Sequence, residues 1–337
     1  MSRIALVTGA GGYIGSALCR ELQAQGWRVR AAARDPAAVS AAECVALELE
    51  DAAAGRVPPA ACRDIGAVFH LAGIAHRGAD APALARINCQ ATLALAAAAE
   101  AAGVAHFVYL SSLYAGACDP LARGTRGQAY ACSKRQAELG LLAAERGGCM
   151  RVTIVRPALV YGGAMKGRLA TLRALASKGW LPDLPPVGNT PMIALPDLVR
   201  ALALLGAHPT ISGNIFTLSD GERYPLDRIA RAMHRLAGRR GGAWHVPQGV
   251  FALALAVVAS LGRVPLLGSR LALPRGLGDW AVDPDPRLRA LGWAPALTLE
   301  TALMADMPGG GAPLAEDPQL ERGALLLSLI HISEPTR

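Results

Sequence analysis

The sequence predicts an α/β protein: a doubly wound parallel sheet of the Rossmann type with a smaller C-terminal substrate-binding domain. Three observations carry this. Short apolar runs alternate with alanine-rich helical stretches through the first half of the chain. The runs lack a polar face, as strands covered by helices on both sides must. A glycine triplet, Gly9, Gly12 and Gly15 in "TGAGGYIG", stands between the first run and the first helix.

In chain order, "RIALVTG" (3–9) reads as a strand, 13–25 as a helix and "RVRAAAR" (28–34) as the second strand. "AVFHLAG" (67–73) is the third, followed by a helix near 83–102 and the strand "HFVYLSS" (106–112). A helix from about 129 to 146 leads to the strand "RVTIVRP" (151–157). Right-handed crossovers between such strands give a doubly wound sheet. Beyond Pro157, Gly and Pro punctuate 162–191, helical patterning returns at 196–205, and "NIFTLSD" (214–220) reads as one more strand. The expected division is a dinucleotide-binding domain of 1–163 plus 192–220 and a substrate domain of 164–191 plus 221–307. Residues 308–326 read as a flexible tail. The last eleven, "LSLIHISEPTR" (327–337), resemble the translation of a sequencing adapter and are set aside from fold reasoning.

With 337 residues, 52% of them hydrophobic, the chain can bury one large or two modest cores. Its net charge of +8 is spread over dispersed arginines without a run of like charges, which argues against a nucleic-acid partner. The seven cysteines form no C-x-x-C pair, so neither a metal site nor a disulfide framework is expected, and reduced thiols in a cytoplasmic protein fit best. The N-terminus opens directly into a strand, so no signal peptide is expected. The longest apolar run, "FALALAVVASLG" (251–262), is too short to span a bilayer. It reads as a core or pocket-covering helix, with interfacial membrane contact as the alternative.

Each glycine of the triplet has a mechanical reason. A dinucleotide site needs a tight turn, close approach of backbone to a pyrophosphate, and close helix–strand packing. The helix N-terminus then offers N–H groups to the phosphates. The second strand ends Ala32-Ala33-Arg34-Asp35. Arg34 can accommodate a 2′-phosphate, which favours NADP(H), whereas Asp35 keeps NAD(H) open.

The chain has only three lysines, at 134, 166 and 178. Lys134 stands four residues after Tyr130, hence on the same face of a helix. An ammonium there is expected to favour the phenolate and make Tyr130 a usable acid/base, and its rotatable donors can reach a cofactor ribose. Ser111 and Ser112 end the preceding strand. Ser112 is the candidate to orient the substrate oxygen, with Ser111 the alternative.

These stretches, together with "HLAG" (70–73), "INCQATLALAAAAEAAGVAHFVYLSS" (87–112), "YACSKRQAE" (130–138), "RPALVYG" (156–162) and "VDPDPRLRALGWAP" (282–295), resemble the extended short-chain dehydrogenase/reductase family of the NAD-dependent epimerase/dehydratase type. The likeness is greatest to its UDP-glucose 4-epimerase-like and UDP-4-keto-deoxysugar reductase branch. The resemblance implies a redox enzyme of nucleotide sugars with Ser112, Tyr130 and Lys134 as the catalytic set, and homodimers are common in the family. It implies a cofactor site of Gly9, Gly12, Tyr13, Ile14, Gly15, Arg34, Leu49, Leu71, Ala72, Gly73, Asn88, Tyr130, Lys134 and Pro157, with His70 also lining it. Without the family, His70 reads as a core histidine.

Sugar 4,6-dehydratases carry their additional acids directly after the catalytic Ser/Thr. Leu113-Tyr114 follow Ser112 here, which argues against dehydratase and decarboxylase. Epimerase and 4-keto reductase remain. Thr190-Pro191 stand where the family has a phosphate-gripping arginine, and Arg275, Arg168 or Lys166 are the candidates to replace it. The alternatives are an alcohol dehydrogenase of hydroxysteroid or dihydroflavonol type, its pocket built from the apolar 249–273 segment, and a non-catalytic NADP-sensing protein.

Overall fold

In a computed structural model, residues 3–39, 43–74, 79–118, 126–165, 167–208, 214–254 and 282–305 are described. The strands are β1 (Ile4–Thr8), β2 (Arg28–Ala33), β3 (Glu43–Ala46), β4 (Ala67–His70), β5 (His106–Leu110), β6 (Arg151–Pro157), β7 (Leu159–Tyr161), β8 (Met192–Ala194) and β9 (Asn214–Leu218). Seven of them form a parallel sheet in the order β3-β2-β1-β4-β5-β6-β9, and β7 pairs with β8 in a separate two-stranded sheet. Thr8 is in register with Ala32 on one side and His70 on the other. The chain order reverses between β1 and β4, so the ligand crevice of such a sheet opens at their carboxyl ends.

The helices are α1 (Tyr13–Ala24), α2 (Leu49–Ala53), α3 (Pro59–Cys62), α4 (Ala81–Ala85), α5 (Ala91–Ala101), α6 (Arg126–Gly147), α7 (Gly167–Lys178), α8 (Leu195–Ala207) and α9 (Leu226–Leu236). Alternation along β1 divides the sheet's two faces. Ala5 and Val7 pack with Leu18 and Leu22 of α1 and Leu198 and Leu202 of α8. Leu6 faces the other way, toward Leu95 of α5 and Leu141 of α6. A third apolar cluster joins Leu169, Leu172 and Leu175 of α7 to Ile229, Met233 and Leu236 of α9 and Leu299 and Leu303 of the helix Leu299–Ala305. Beneath it the hydroxyls of Tyr161 and Tyr224 converge on Asp220 Oδ2 at 2.7 and 2.8 Å.

The expected strands and long helices are present, and three short strands join them. β3, β7 and β8 have four residues or fewer, too few to show a period in the sequence. The helix expected near 83–102 is three pieces: α4, one π-helical turn (Arg86–Gln90) and α5. Asp80 starts it, accepting from the Ala83 N–H at 2.8 Å.

The expectation of unpaired thiols is corrected. Cys118 and Cys132 are joined in a disulfide. They stand fourteen positions apart, and the pairing depends on packing of the turn after β5 against α6, which spacing in the sequence does not reveal. Among the described residues no helix is long and apolar enough to cross a membrane. Residues 255–281 and 306–337, which hold most of the apolar 249–273 segment, Arg275, the tail and the adapter-like end, lie outside the described residues, as do Lys166 and the side chain of Arg168.

Candidate active site

The glycine turn is shaped by contacts that only hydrogen permits. Gly9 turns the chain out of β1 at φ +69°, where other residues are strained. A Cβ on Gly15 would stand 2.1 Å from the Gly9 carbonyl oxygen. That closeness brings the start of α1 onto the end of β1. No side chain caps α1 and no acidic residue occupies its first turn, so its N–H groups and positive pole suit a pyrophosphate. The residues present therefore fit a dinucleotide. Tyr13, half-buried with Ile14, donates from its hydroxyl to the Gly162 carbonyl and ties this turn to the segment after β7.

Leu71, Ala72 and Gly73 continue from β4 over the glycine turn. Thr8 Oγ1 accepts from the Leu71 and Ala72 N–H groups, each at 3.2 Å. With both acceptor directions used, its own proton goes to His70 Nδ1 at 2.7 Å. His70 is then the Nε2–H tautomer, 2.9 Å from Thr92 Oγ1, and Thr92 donates onward to the Asn88 carbonyl at 2.9 Å. Burial, with Lys134 adding, pulls the His70 pKa down to about 3. His70 is a sealed core histidine holding this scaffold, which corrects its expected place lining the cofactor.

Asn88 is likewise a brace. Its Oδ1 accepts from the Ile74 N–H at 2.7 Å, and its Nδ2 donates to the Ile74 carbonyl and to Ser133 Oγ. Ser133 in turn donates to the Tyr130 carbonyl at 2.8 Å. The π-helical turn thus connects the segment after β4 to the second turn of α6.

The carboxyl end of β5 and helix α6 bring together the candidate residues Ser112, Tyr130 and Lys134. The Tyr130 side chain lies near Ser112, whose hydroxyl opposes the upward pull of burial on the phenol. Ser111 points elsewhere, its Oγ donating to Glu138 Oε1 at 2.6 Å, so the geometry selects Ser112 over Ser111. Lys134 is buried, donates to the Leu110 carbonyl at 3.0 Å and lies 4.8 Å over the Tyr109 ring. A Cβ on Gly73 would come within 3.4 Å of Lys134 Nζ and 2.9 Å of Asn88 Oδ1.

Burial pushes the Tyr130 phenol up to about 12, with Ser112 opposing. The ammonium is turned toward Leu110 and the Tyr109 face. Burial also pulls Lys134 down to about 8, against the attraction of Glu138.

Glu138 is the site's unanticipated member. Tyr130, Lys134 and Glu138 recur every four residues along one face of α6. Glu138 is fully buried, and Arg156 meets it with two bonds at 2.8 and 2.5 Å, Arg135 with one at 3.0 Å. Burial would raise its pKa, but these donors and Ser111 hold it below the usual carboxylate range. The i, i+4, i+8 spacing was the available signal.

At the other side of the crevice Arg34 is exposed just past β2, while Asp35 Oδ1 accepts from the Ala37 N–H at 3.0 Å. Leu49 opens α2, half-buried, and Pro157 is buried at the end of β6 in register with Leu218.

A family profile described as NAD dependent epimerase/dehydratase family matches residues 5–211. The chain belongs to that family. Its members are NAD-dependent enzymes. UDP-glucose 4-epimerase of Vibrio cholerae is 27% identical over 320 residues, covering 89% of this chain and 93% of that protein. Ceramide reductase of Caulobacter vibrioides (strain NA1000 / CB15N) is 29% identical over 244 residues, covering 70% and 71%. Among solved structures, MoeE5 in complex with UDP-glucose and NAD superposes with a TM-score of 0.69 at 22% identity, covering 90% of this chain and 97% of that one.

Proposed function

We propose that the chain epimerises a UDP-sugar at C4, with Tyr130 exchanging the proton of the C4 oxygen and Ser112 orienting that oxygen. The observation that carries this is the meeting of Ser112, at the carboxyl edge of β5, with Tyr130 and the buried Lys134 on one face of α6. The Vibrio cholerae relative, matched along nearly its whole length, supports the substrate class. A dinucleotide would be held by the glycine turn, the N-terminus of α1, the segment 71–73 and Lys134, and when bound it supplies reversible hydride acceptance. Burial keeps Tyr130 protonated, the form that donates to a carbonyl oxygen on its way to becoming a hydroxyl. Withdrawing a proton in the opposite direction requires positive charge near the phenol, which Lys134 carries below about pH 8. The expected activity therefore falls as pH rises through about 8, and a pH–rate profile checks it.

Arg34, exposed while Asp35 is drawn into capping Ala37, supports NADP(H) as the preferred form, with NAD(H) the competitor. Titrating both cofactors decides between them. Incubation with UDP-glucose, UDP-N-acetylglucosamine and a 4-keto-sugar, with and without NADPH, tests the reaction. Interconversion without net consumption supports epimerase; NADPH consumption marks a 4-keto reductase. Tyr130→Phe is expected to cut turnover by about 10²–10⁴-fold with cofactor affinity retained. Full turnover would remove Tyr130 from its role.

A second reading is favoured by the ceramide reductase relative. Trp244, Val250 and Leu253 are exposed apolar side chains of the C-terminal half, and Thr190-Pro191 offer no cation for a diphosphate. On this reading the same trio reduces a long-chain ketone, and NADPH consumption with such a ketone but with no nucleotide sugar would select it.

A further inference from the structure

The disulfide brackets the proton-transfer pair. Ser112 begins the 3₁₀ turn Leu113–Ala117, accepting from the Tyr114 N–H at 3.3 Å, and Cys118 closes that turn. Cys132 lies on α6 midway between Tyr130 and Lys134. The Cα atoms of the two cysteines are 5.1 Å apart, within the span a disulfide bridges. The bond is thus a covalent link between the element carrying Ser112 and the element carrying Tyr130. Both cysteines are half-buried, within reach of a small thiol, whereas Cys19 and Cys62 are buried in the core. Gln128 Nε2 donates to Cys132 Sγ at 3.4 Å from one turn earlier in α6.

We propose that Cys118 and Cys132 form a reversible redox site that braces Ser112 against Tyr130, so that turnover follows the thiol–disulfide state. The inference rests on the acid/base reading of Tyr130. Oxidation proceeds by exchange with a low-molecular-weight disulfide. One cysteine thiolate attacks that disulfide and releases one thiol, and the second cysteine attacks the mixed disulfide and releases the other. Two protein thiols are oxidised, one external disulfide is reduced to two thiols, and a reducing dithiol reverses both steps.

The brace acts on geometry. The hydroxyls of Ser112 and Tyr130 must meet one substrate oxygen together, and a misplacement of about 1 Å at such a site costs up to roughly 10²-fold in rate. With the bond reduced, the turn and α6 are related by packing and by polar contacts such as Lys134 to the Leu110 carbonyl. Turnover is expected to drop about tenfold, while the cofactor, held mainly by the glycine turn and the segment after β4, binds as before.

The test compares the full chain after treatment with oxidised glutathione and after treatment with dithiothreitol. Maleimide labelling under denaturing conditions is expected to give five labels after oxidation and seven after reduction, since five cysteines stand outside the bond. Amide exchange of the peptide 126–134 is expected to be slower in the oxidised form, and its turnover higher at unchanged cofactor Kd. Cys118→Ser and Cys132→Ser are expected to match the reduced wild type under both treatments; should one not fold, the other and the wild-type pair of states still decide. Seven labels after oxidation, or exchange and turnover indifferent to treatment, overturn the proposal. Labelling and exchange need no substrate, so failure of the epimerase reading leaves them able to judge the brace separately.

Discussion

His70 in the sheet and His234 in α9 are equally sealed from solvent, at 0% and 1% exposure, but their surroundings differ. Both ring nitrogens of His70 are hydrogen-bonded, and its partners, Thr8 and Thr92, extend the chain of bonds to the backbone at 71–72 and at Asn88. Neither nitrogen of His234 has a hydrogen-bond partner among the described residues, and the nearest carboxylate, Asp183, stands 3.8 Å away. Asp227 Oδ1, on the same helix, is also unpartnered there. The sheet half positions its crevice with directional bonds, each of which specifies one arrangement. Around His234 the packing is chiefly aliphatic, which tolerates repacking, whereas the directional bonds of that half gather at Asp220, Tyr161 and Tyr224.

If that contrast is right, substitutions at matched positions should behave differently. The largest effect is expected at the glycine turn. Gly15→Ala drives a methyl against the Gly9 carbonyl, an overpacking that costs about 3 kcal/mol and displaces the start of α1. Loss of cofactor affinity, read by fluorescence titration, should accompany a lower urea midpoint. Gly249→Ala in the C-terminal half meets nothing within 4 Å and lies in a helix, so it should stabilise by up to about 1 kcal/mol. Similar losses at both sites would break the comparison.

Next in size is the histidine pair itself. His70→Leu leaves the Thr8 proton without an acceptor and should cost about 1–3 kcal/mol. His234→Leu removes two unpartnered polar atoms from an apolar cluster and should lie within about 1 kcal/mol of wild type, or above it. Paired urea denaturation measures both. A His234→Leu loss as large as that of His70→Leu would show that His234 is satisfied after all.

What the sequence revealed follows the same division. The long strands, the helices flanking them and the glycine turn were legible because a sheet buried on both faces imposes continuous apolar runs, and because close backbone contact leaves glycine as the residue at position 15. That Tyr130 and Lys134 share a face of α6 beside the end of β5 was legible from spacing and from their place after a strand. Glu138 was visible in the same spacing, but a carboxylate four residues beyond a lysine reads equally well as a surface ion pair until Arg156 is seen to bury it. The Cys118–Cys132 bond depends on where the turn after β5 comes to rest, and the raised Tyr130 pKa on how closely the phenol is packed. Those are tertiary facts without a local pattern.

The smallest expected effect is a pH dependence from the two buried histidines of the sheet, His70 and His106. Burial pulls His70 down to about 3 and His106, bonded to Thr153 Oγ1 at 2.9 Å, down to about 4, both from an ordinary value of 6.5. In each case the folded pKa lies below the unfolded one, so the unfolded chain takes up the proton first as pH falls. Stability is therefore whole above about 6.5, declines as pH drops through that value, and stops declining on account of each histidine at its folded pKa. Between pH 7 and pH 6 each histidine should remove somewhat under about 1 kcal/mol. The urea midpoint of the wild type should fall over that interval, and that of His70→Leu should start lower but fall less. Parallel declines in the two proteins would mean that His70 is protonated in the fold as readily as in the open chain, and the bond network that joins β1, β4 and the π-helical turn would have to be redrawn.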